Sequence, residues 1–113
     1  MYRIDYYTEL SGREPVREWL RGLDKKPKAV ITGKIARLEK YGLLLLQTSV
    51  MKRIANGDKD FYELRGGNCR IALYQETVTN SFVLLHGFLK KRQREVREIS
   101  LARDRLREYQ SRR

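Results

Sequence analysis

The sequence predicts an α+β domain in which a mainly antiparallel four-stranded sheet carries two helices from the N-terminal half and one C-terminal helix. The spacing of apolar residues changes from helical steps to alternation near the middle of the chain and changes back near its C-terminal end. The connections between the middle segments are short, which favours antiparallel pairing. The length of 113 residues suits one core, so we expect a single domain over residues 1–113.

The N-terminal half predicts one strand and two helices. Residues 2–7 alternate like a strand rich in Tyr and Ile, and Ser11-Gly12 ends it. Pro15 suits the first turn of a helix, and Pro27 opens a second and longer helical pattern. Gly42 stands where the C-terminal cap of that second helix is expected. We expect the two helices to pack together as a hairpin.

The C-terminal half predicts three consecutive antiparallel strands and a helix. Segments 61–65, 69–75 and 81–86 are rich in β-branched and aromatic residues and are separated by short turns. Apolar residues between Val96 and Tyr109 then recur at steps of three and four, which indicates an amphipathic helix with a cationic outer face. With the helices on one face of the sheet, we expect the other face to be free to hold a ligand.

Charge is the strongest compositional signal. The chain has 25 Lys and Arg against 14 Asp and Glu, a net charge of +11, although 41% of its residues are hydrophobic. The sequence pI near 10.1 exceeds what solubility requires. A folded cationic surface attracts polyanions, because bound phosphates release counterions. This composition favours binding to nucleic acid or to the ribosome.

Other chemistries find little support in the composition. The single Cys69 allows neither an internal disulfide nor a Cys-built zinc site, and the single His86 allows no His-rich cluster. We therefore expect no metal, no cofactor and a cytoplasmic location. The longest aliphatic run is Leu43–Leu46, and the N-terminus has no signal-like apolar stretch, so neither secretion nor a membrane is expected.

Strand alternation places charged residues on the sheet face away from the predicted core. Tyr62 and Leu64 are expected to face the helices, so their neighbours face the other way. Those neighbours are Glu63 and Arg65, and Arg70 joins them from the next strand. Two arginines placed so close repel each other unless an anion lies between them. That anion is either Glu63, in a salt-bridged sheet face, or a phosphate held by an arginine fork.

Three segments in order resemble the signature of the RelE/HigB toxin superfamily, especially its phage-derived branch. They read ELR at 63–65, RIALY at 70–74 and LLHGFLKK at 84–91. The similarity runs from a V-x-x-W-L helix segment at 16–20 to the C-terminal helix that carries Glu98, Ile99 and Ala102, which is nearly the whole chain.

The resemblance implies a microbial-RNase-like sheet with helices on one side and a toxin of a type II toxin–antitoxin system. Such a toxin cleaves mRNA in the ribosomal A site, inhibits translation and is neutralised by a cognate antitoxin, often a helix-turn-helix protein. The implied partners are therefore mRNA, the ribosome and the antitoxin. RelE-type sites use Lys and Arg and often a late Tyr, whereas this chain offers His86 and Lys90-Lys91. Tyr109, the only late tyrosine, fits the apolar stripe and is not assigned to catalysis.

Metal-independent RNA cleavage requires removal of the 2′-hydroxyl proton, stabilisation of the phosphorane and protonation of the 5′ oxygen. We expect Arg65 and Arg70 to hold the scissile phosphate. His86 can act as base or acid, because its unperturbed pKa is near 6.5. Lys90-Lys91 can serve instead if neighbouring cations lower a lysine pKa, and Glu63 is a further candidate base. The acid and base assignment stays open.

The complete prediction contains two groups of residues. The candidate catalytic residues are Glu63, Arg65, Arg70, His86, Lys90 and Lys91. The candidate RNA-binding residues are Lys52, Arg53, Lys59, Phe88 and Arg92, with Phe88 as a stacking platform for a base.

Two other interpretations stay open. The chain could be a non-catalytic RNA- or DNA-binding module, for example a decayed toxin that still binds its antitoxin. It could also be a protein-interaction domain whose cationic face docks an acidic partner. His86 would then be an ordinary sheet histidine with a satisfied hydrogen bond, beside solvated lysines.

Overall fold

The computed structural model of the chain describes residues 1–55, 58–91 and 95–112. Its helices and strands are β1 (Arg3–Tyr6), α1 (Pro15–Gly22), α2 (Lys25–Tyr41), β2 (Met51–Arg53), β3 (Phe61–Gly66), β4 (Cys69–Glu76), β5 (Ser81–Leu89) and α3 (Val96–Ser111). A 3₁₀ helix, Gly42–Gln47, connects α2 to β2. The α+β class and the order of the predicted elements are confirmed.

The strands form one five-stranded sheet in the order β1-β5-β4-β3-β2. Strands β2 to β5 pair antiparallel, and β1 pairs in parallel with β5. The sequence predicts four strands, and the additional one is β2. It has only three residues, two of them exposed cations, which is too short for alternation to reveal it.

Helices α1 and α2 cover one face of the sheet. Val16 of α1 and Ile31 and Leu38 of α2 are fully buried against the strand residues Leu64 and Ile71. Helix α1 packs on β5 and α2 packs on β3 and β4, with little contact between the two helices. The expectation that they pack together as a hairpin is therefore wrong, because the apolar side of each helix is buried by the sheet.

Helix α3 covers part of the opposite face, so the expectation that all helices lie on one side is wrong. Its buried residues Ala102 and Leu106 pack against Phe61, Ala72 and Val83. This face of β3, β4 and β5 also carries apolar side chains at these positions. The apolar side of α3 is therefore buried against it. The face expected to be free to hold a ligand is therefore partly covered by α3. None of the helices in the described ranges is long and apolar enough to span a bilayer.

Candidate functional site

Arg65 and Arg70 face each other directly across the hairpin of β3 and β4, as the sequence predicts. The turn between them contains Gly67 with a φ of 57°, a left-handed conformation that favours glycine. The Nη1 of Arg70 donates hydrogen bonds to the carbonyl oxygens of Gly67, at 2.7 Å, and of Cys69, at 2.9 Å. The hairpin backbone thus fixes one guanidinium of the pair, whose side chain is only 10% exposed.

Glu63 lies between the two arginines. Its Oε1 is 2.8 Å from Nε of Arg65 and 3.8 Å from Nε of Arg70. The residue is 6% exposed. No described residue accepts a hydrogen bond from the buried Nε of Arg70. Glu63 is therefore ion-paired with both arginines, as the salt-bridged alternative predicts. It accepts a hydrogen bond from Arg65, while Nε of Arg70 has no hydrogen-bond acceptor among the described residues.

Glu95, the residue before α3, adds a second carboxyl group that the sequence analysis missed. Burial and the nearby Glu63 raise the pKa of Glu95, while Lys90 and Arg70 act in the opposite direction. Its Oε1 is buried without a hydrogen-bond partner among the described residues. The sequence did contain a hint of this residue, because Glu95 is the first acidic residue after the basic segment 90–94.

A β-bulge in β5 turns His86 toward this site. Leu73 pairs with Leu84 and Ala72 pairs with His86, so Leu85 is the extra residue. Leu84 packs in the core under α1 and α2, and strict alternation would direct His86 to the same side. The bulge reverses the alternation, so that His86 and Phe88 share the face that α3 partly covers.

His86 is held by two residues of α3. Its Nε2 lies 3.1 Å from Oε1 of Glu98, and its Nδ1 lies 2.9 Å from Nη1 of Arg105. Because a guanidinium only donates, Nδ1 accepts and Nε2 carries the proton that is donated to Glu98. Burial lowers the pKa of His86, against the hydrogen bond with Glu98, and Arg105 lowers it further. The ring is therefore a neutral connection between β5 and α3.

Phe88 lies opposite Arg70 in the strand register and stacks on His86 at a centroid distance of 5.5 Å. The residue is 5% exposed, so most of the predicted stacking platform is covered. An open groove of about 460 Å³ lies beside it, between the end of β5 and the start of α3. Its lining includes Lys91 and Glu95.

Lys90 follows β5 at the same end of the sheet. Its backbone N–H donates to the carbonyl oxygen of Asn68, at 2.7 Å, which places it beside the β3–β4 turn. Lys90 and Lys91 are exposed. The structure thus brings Glu63, Arg65 and Arg70 together on the hairpin, with Lys90 beside its turn. Lys91 lines the groove at the start of α3, and His86 is enclosed between two partners of its own.

The remaining candidate RNA-binding residues separate into different places. Lys52 pairs with Glu63 in the register of β2 and β3, so it is on the face of the site and at the edge of the sheet. Arg53 is on the other face, with Nη1 3.5 Å from the hydroxyl of Tyr62. Lys59 precedes β3, at the end far from Arg65. Arg92 lies outside the described residues.

This architecture defines a RelE-type α+β protein. The crystal structure of an archaeal RelE–RelB complex from Pyrococcus horikoshii OT3 contains a similar chain, with a TM-score of 0.59 and 19% sequence identity. The match covers 81% of this chain and 98% of that one. Similarity at this level of identity establishes the fold.

The family of the chain follows from a match between its sequence and a family model. Residues 18–107 match the family described as phage-derived protein Gp49-like (DUF891), so the chain belongs to this family. The family and the fold together confirm the resemblance to the RelE/HigB superfamily. No curated protein matches the sequence.

Proposed function

We propose that this protein is the toxin of a type II toxin–antitoxin system and that it cleaves mRNA on the ribosome as a metal-independent endoribonuclease. One observation carries the proposal. Arg65 and Arg70, paired across a hairpin with Glu63 between them, line an open pocket of about 340 Å³. Lys91 and Glu95 line a second groove at the end of β5, and Glu95 is near Glu63, Arg70 and Lys90. Guanidinium groups bind phosphate, and carboxyl groups transfer protons, which are the two requirements of RNA cleavage.

The two arginines have different parts in this mechanism. Arg70 is fixed by the hairpin carbonyls and keeps a buried, unused Nε donor, so it is preorganised for the charge that develops on the phosphorane. Arg65 is 29% exposed and is bonded to Glu63 through Nε only, so its terminal nitrogens are the ones that first contact the scissile phosphate.

His86 receives a positioning role. Proton transfer by an imidazole requires a ring nitrogen that faces the substrate, whereas both nitrogens of His86 are bonded to Glu98 and Arg105. The ring fixes the start of α3 over the sheet and supports Phe88. The exposed Lys90 and Lys91 contact the RNA backbone, and the acid and base roles pass to the carboxyl groups.

The ribosome and an antitoxin complete the proposed system. A net charge of +11 favours association with ribosomal RNA, and mRNA held in the A site is positioned for the reaction. A cytoplasmic location follows from these partners. A cognate antitoxin, of the helix-turn-helix type, would cover the site, and the RelE structure with the same fold was determined with RelB bound.

Primer extension on mRNA with and without ribosomes tests this function directly. We expect cuts in ribosome-bound mRNA, slow cleavage of free RNA, and arrest of growth on expression. Arg65→Ala and Arg70→Ala should abolish all three. Arg37→Ala is the matched control, because Arg37 is an exposed arginine of α2 and lies outside the site. The proposal fails if programmed ribosomes leave the mRNA intact.

A second candidate function is a binding module without catalysis. The observation that favours it is that Arg65 and His86 already have internal partners. Such a module would bind ribosomes or an antitoxin in a salt-dependent manner and leave the primer-extension pattern of mRNA unchanged.

A further inference from the structure

We propose that the pocket between α2 and the β3–β4 hairpin is a phosphate site for single-stranded RNA, in which Lys34 of α2 is a third cation beside Arg65 and Arg70. The proposal rests on the proposed function, because it takes RNA as the ligand. Lys34 lies outside the three sequence segments that resemble the RelE/HigB signature and is not among the residues predicted from the sequence.

The close packing of α2 on the hairpin brings Lys34 to the pocket. Gly66, the last residue of β3, lies directly beside α2. A Cβ at this position would be 3.0 Å from Cγ of Lys34 and 3.3 Å from Cα of Ile31. The absence of a side chain at Gly66 therefore allows the aliphatic stem of Lys34 to lie across the end of β3. Lys34 is partly buried there and lines the same pocket as the two arginines.

The charges around the pocket are unbalanced. Its lining contains the cations Lys34, Arg65 and Arg70 and, within the described ranges, no acidic residue. Glu63 is the one described carboxylate that is ion-paired with the two arginines, and Lys34 has no ion pair with any described residue. Three positive charges therefore share one negative charge. Like charges so close repel each other, so an added anion would stabilise this cluster.

The cationic face of α3 is different, because several of its arginines already have carboxylate partners. Arg103 is ion-paired with Asp58, and Arg112 is ion-paired with Glu108. An added anion has to compete with these carboxylates. The pocket beside α2 therefore attracts a phosphate more strongly than these paired arginines do.

Arg70 provides a second and independent indication that protein atoms do not complete this site. Its side chain is only 10% exposed, and the hairpin carbonyl groups hold its Nη1. Its buried Nε has no hydrogen-bond acceptor among the described residues, and the carboxylate of Glu63 is 3.8 Å away. Buried polar atoms are rarely left unpaired, and an exception of this kind indicates a missing partner. An anion in the pocket would supply the negative charge that this guanidinium lacks.

The arrangement of the three cations favours a phosphate over a carboxylate. They come from three different elements, with Lys34 on α2, Arg65 on β3 and Arg70 on β4. A tetrahedral phosphate can be contacted from three directions, whereas a carboxylate offers two coplanar oxygens. Each guanidinium presents paired donors, and the ammonium group adds a compact charge. The pocket is open and has a volume of about 340 Å³, so a phosphate can enter together with its sugar.

The test is the binding of a short oligonucleotide of 2′-O-methyluridine, which has no 2′-hydroxyl group and cannot be cleaved. The chains compared are the wild type, Lys34→Met, Lys34→Arg and the matched control Arg37→Met. Methionine keeps an unbranched stem over Gly66 and removes only the charge. Arg37 is an exposed arginine of the same helix and is not part of the pocket lining.

We expect Lys34→Met to weaken binding about tenfold, as the loss of one charge-assisted contact does. The slope of log affinity against log salt should fall by about 0.7, the effect of one phosphate contact on a single strand. Lys34→Arg should keep most of the affinity, and Arg37→Met should change neither quantity. Inorganic phosphate should move the amide NMR signals of Gly66 and Gly67 in the wild type and much less in Lys34→Met.

Three results would overturn the proposal. The first is wild-type affinity and salt slope in Lys34→Met, and the second is an oligonucleotide that leaves the signals of Gly66 and Gly67 unmoved. The third is an oligoglutamate peptide, or uridine monophosphate, that binds this pocket at least as tightly as the oligonucleotide. The first points to a structural lysine, and the third points to a site for an acidic protein or for a free phosphate.

The proposed function is scored separately by cleavage of ribosome-bound mRNA. A chain that binds the oligonucleotide through Lys34 and leaves mRNA intact retains the phosphate site and loses the proposed endoribonuclease activity. A chain that cuts mRNA while Lys34→Met binds the oligonucleotide like the wild type retains the activity and loses the role of Lys34.

Discussion

The imidazole of His86 and the carboxylate of Glu98 lie 3.1 Å apart and connect the last strand of the sheet to the helix that covers it. Arg105 completes the connection from the next turns of α3, with Nη1 2.9 Å from Nδ1 of His86 and 2.9 Å from the carbonyl oxygen of Leu85. The histidine that attracts attention in the sequence thus stabilises the docking of α3, and two predictions about stability follow from its environment.

The first prediction concerns the removal of this connection. His86→Ala should reduce the free energy of unfolding by about 1–3 kcal/mol, because Glu98 and Arg105 lose a hydrogen-bond partner in a partly buried place. Urea denaturation measures the change. His86→Gln retains one donor and one acceptor and should lose less, and equal losses in the two variants would contradict the hydrogen-bonding role.

The second prediction is the pH dependence of stability. Because the pKa of His86 is lowered in the folded state, the unfolded chain binds the proton more tightly. The stability contributed by His86 is therefore fully present above its unfolded pKa of about 6.5 and is lost as pH falls through the folded pKa. Urea unfolding between pH 5 and 8 should show this decline. His86 is the only histidine, so His86→Gln should flatten the curve in this range.

Strands β3 and β5 show which parts of the site the sequence determines and which it does not. The alternation of Tyr62 and Leu64 with Glu63 and Arg65 predicts the two faces of β3 correctly, because the period of a strand is a local property. The orientation of His86 depends on the bulge at Leu85, which arises from pairing with β4 and has no local signature. The same alternation without a bulge would have buried His86 under α1.

Features that depend on tertiary packing were missed for the same reason. The apolar stripe of α3 shows which side of the helix is buried, but it does not show which face of the sheet receives it. Glu95 is separated by 32 positions from Glu63, and only the docking of α3 brings the two carboxyl groups together. The cationic groups were easier to predict, because an arginine pair across a two-residue turn follows from the hairpin alone.

The third prediction concerns the close approach of α1 to β5 at Gly87. A Cβ added at Gly87 would clash with the indole ring of Trp19. Gly87→Ala should therefore destabilise the fold by about 1–3 kcal/mol, as overpacking of a core does. Gly33→Ala in the exposed part of α2, where a Cβ would meet nothing within 4 Å, is the matched control and should stabilise the helix by about 0.5–1 kcal/mol.

Thermal denaturation of both variants tests this contact. Trp19→Leu provides space beside Gly87, so the double variant with Gly87→Ala should lose less stability than the sum of the two single variants. Additive losses would show that Trp19 does not limit the residue at position 87.

The fourth prediction uses two adjacent cations of β2 that lie on opposite faces of the sheet. Lys52 is opposite Glu63 on the face of the candidate site, whereas Arg53 is directed to the hydroxyl and ring of Tyr62. If RNA crosses the site face, Lys52→Ala should weaken binding to ribosomes or RNA and reduce the slope of log affinity against log salt by about 1, the effect of one lost phosphate contact. Arg53→Ala changes the net charge by the same amount and should leave this slope unchanged. Filter binding across a salt series measures both variants, and equal slopes for the two would mean that binding depends on total charge instead of on this face of the sheet.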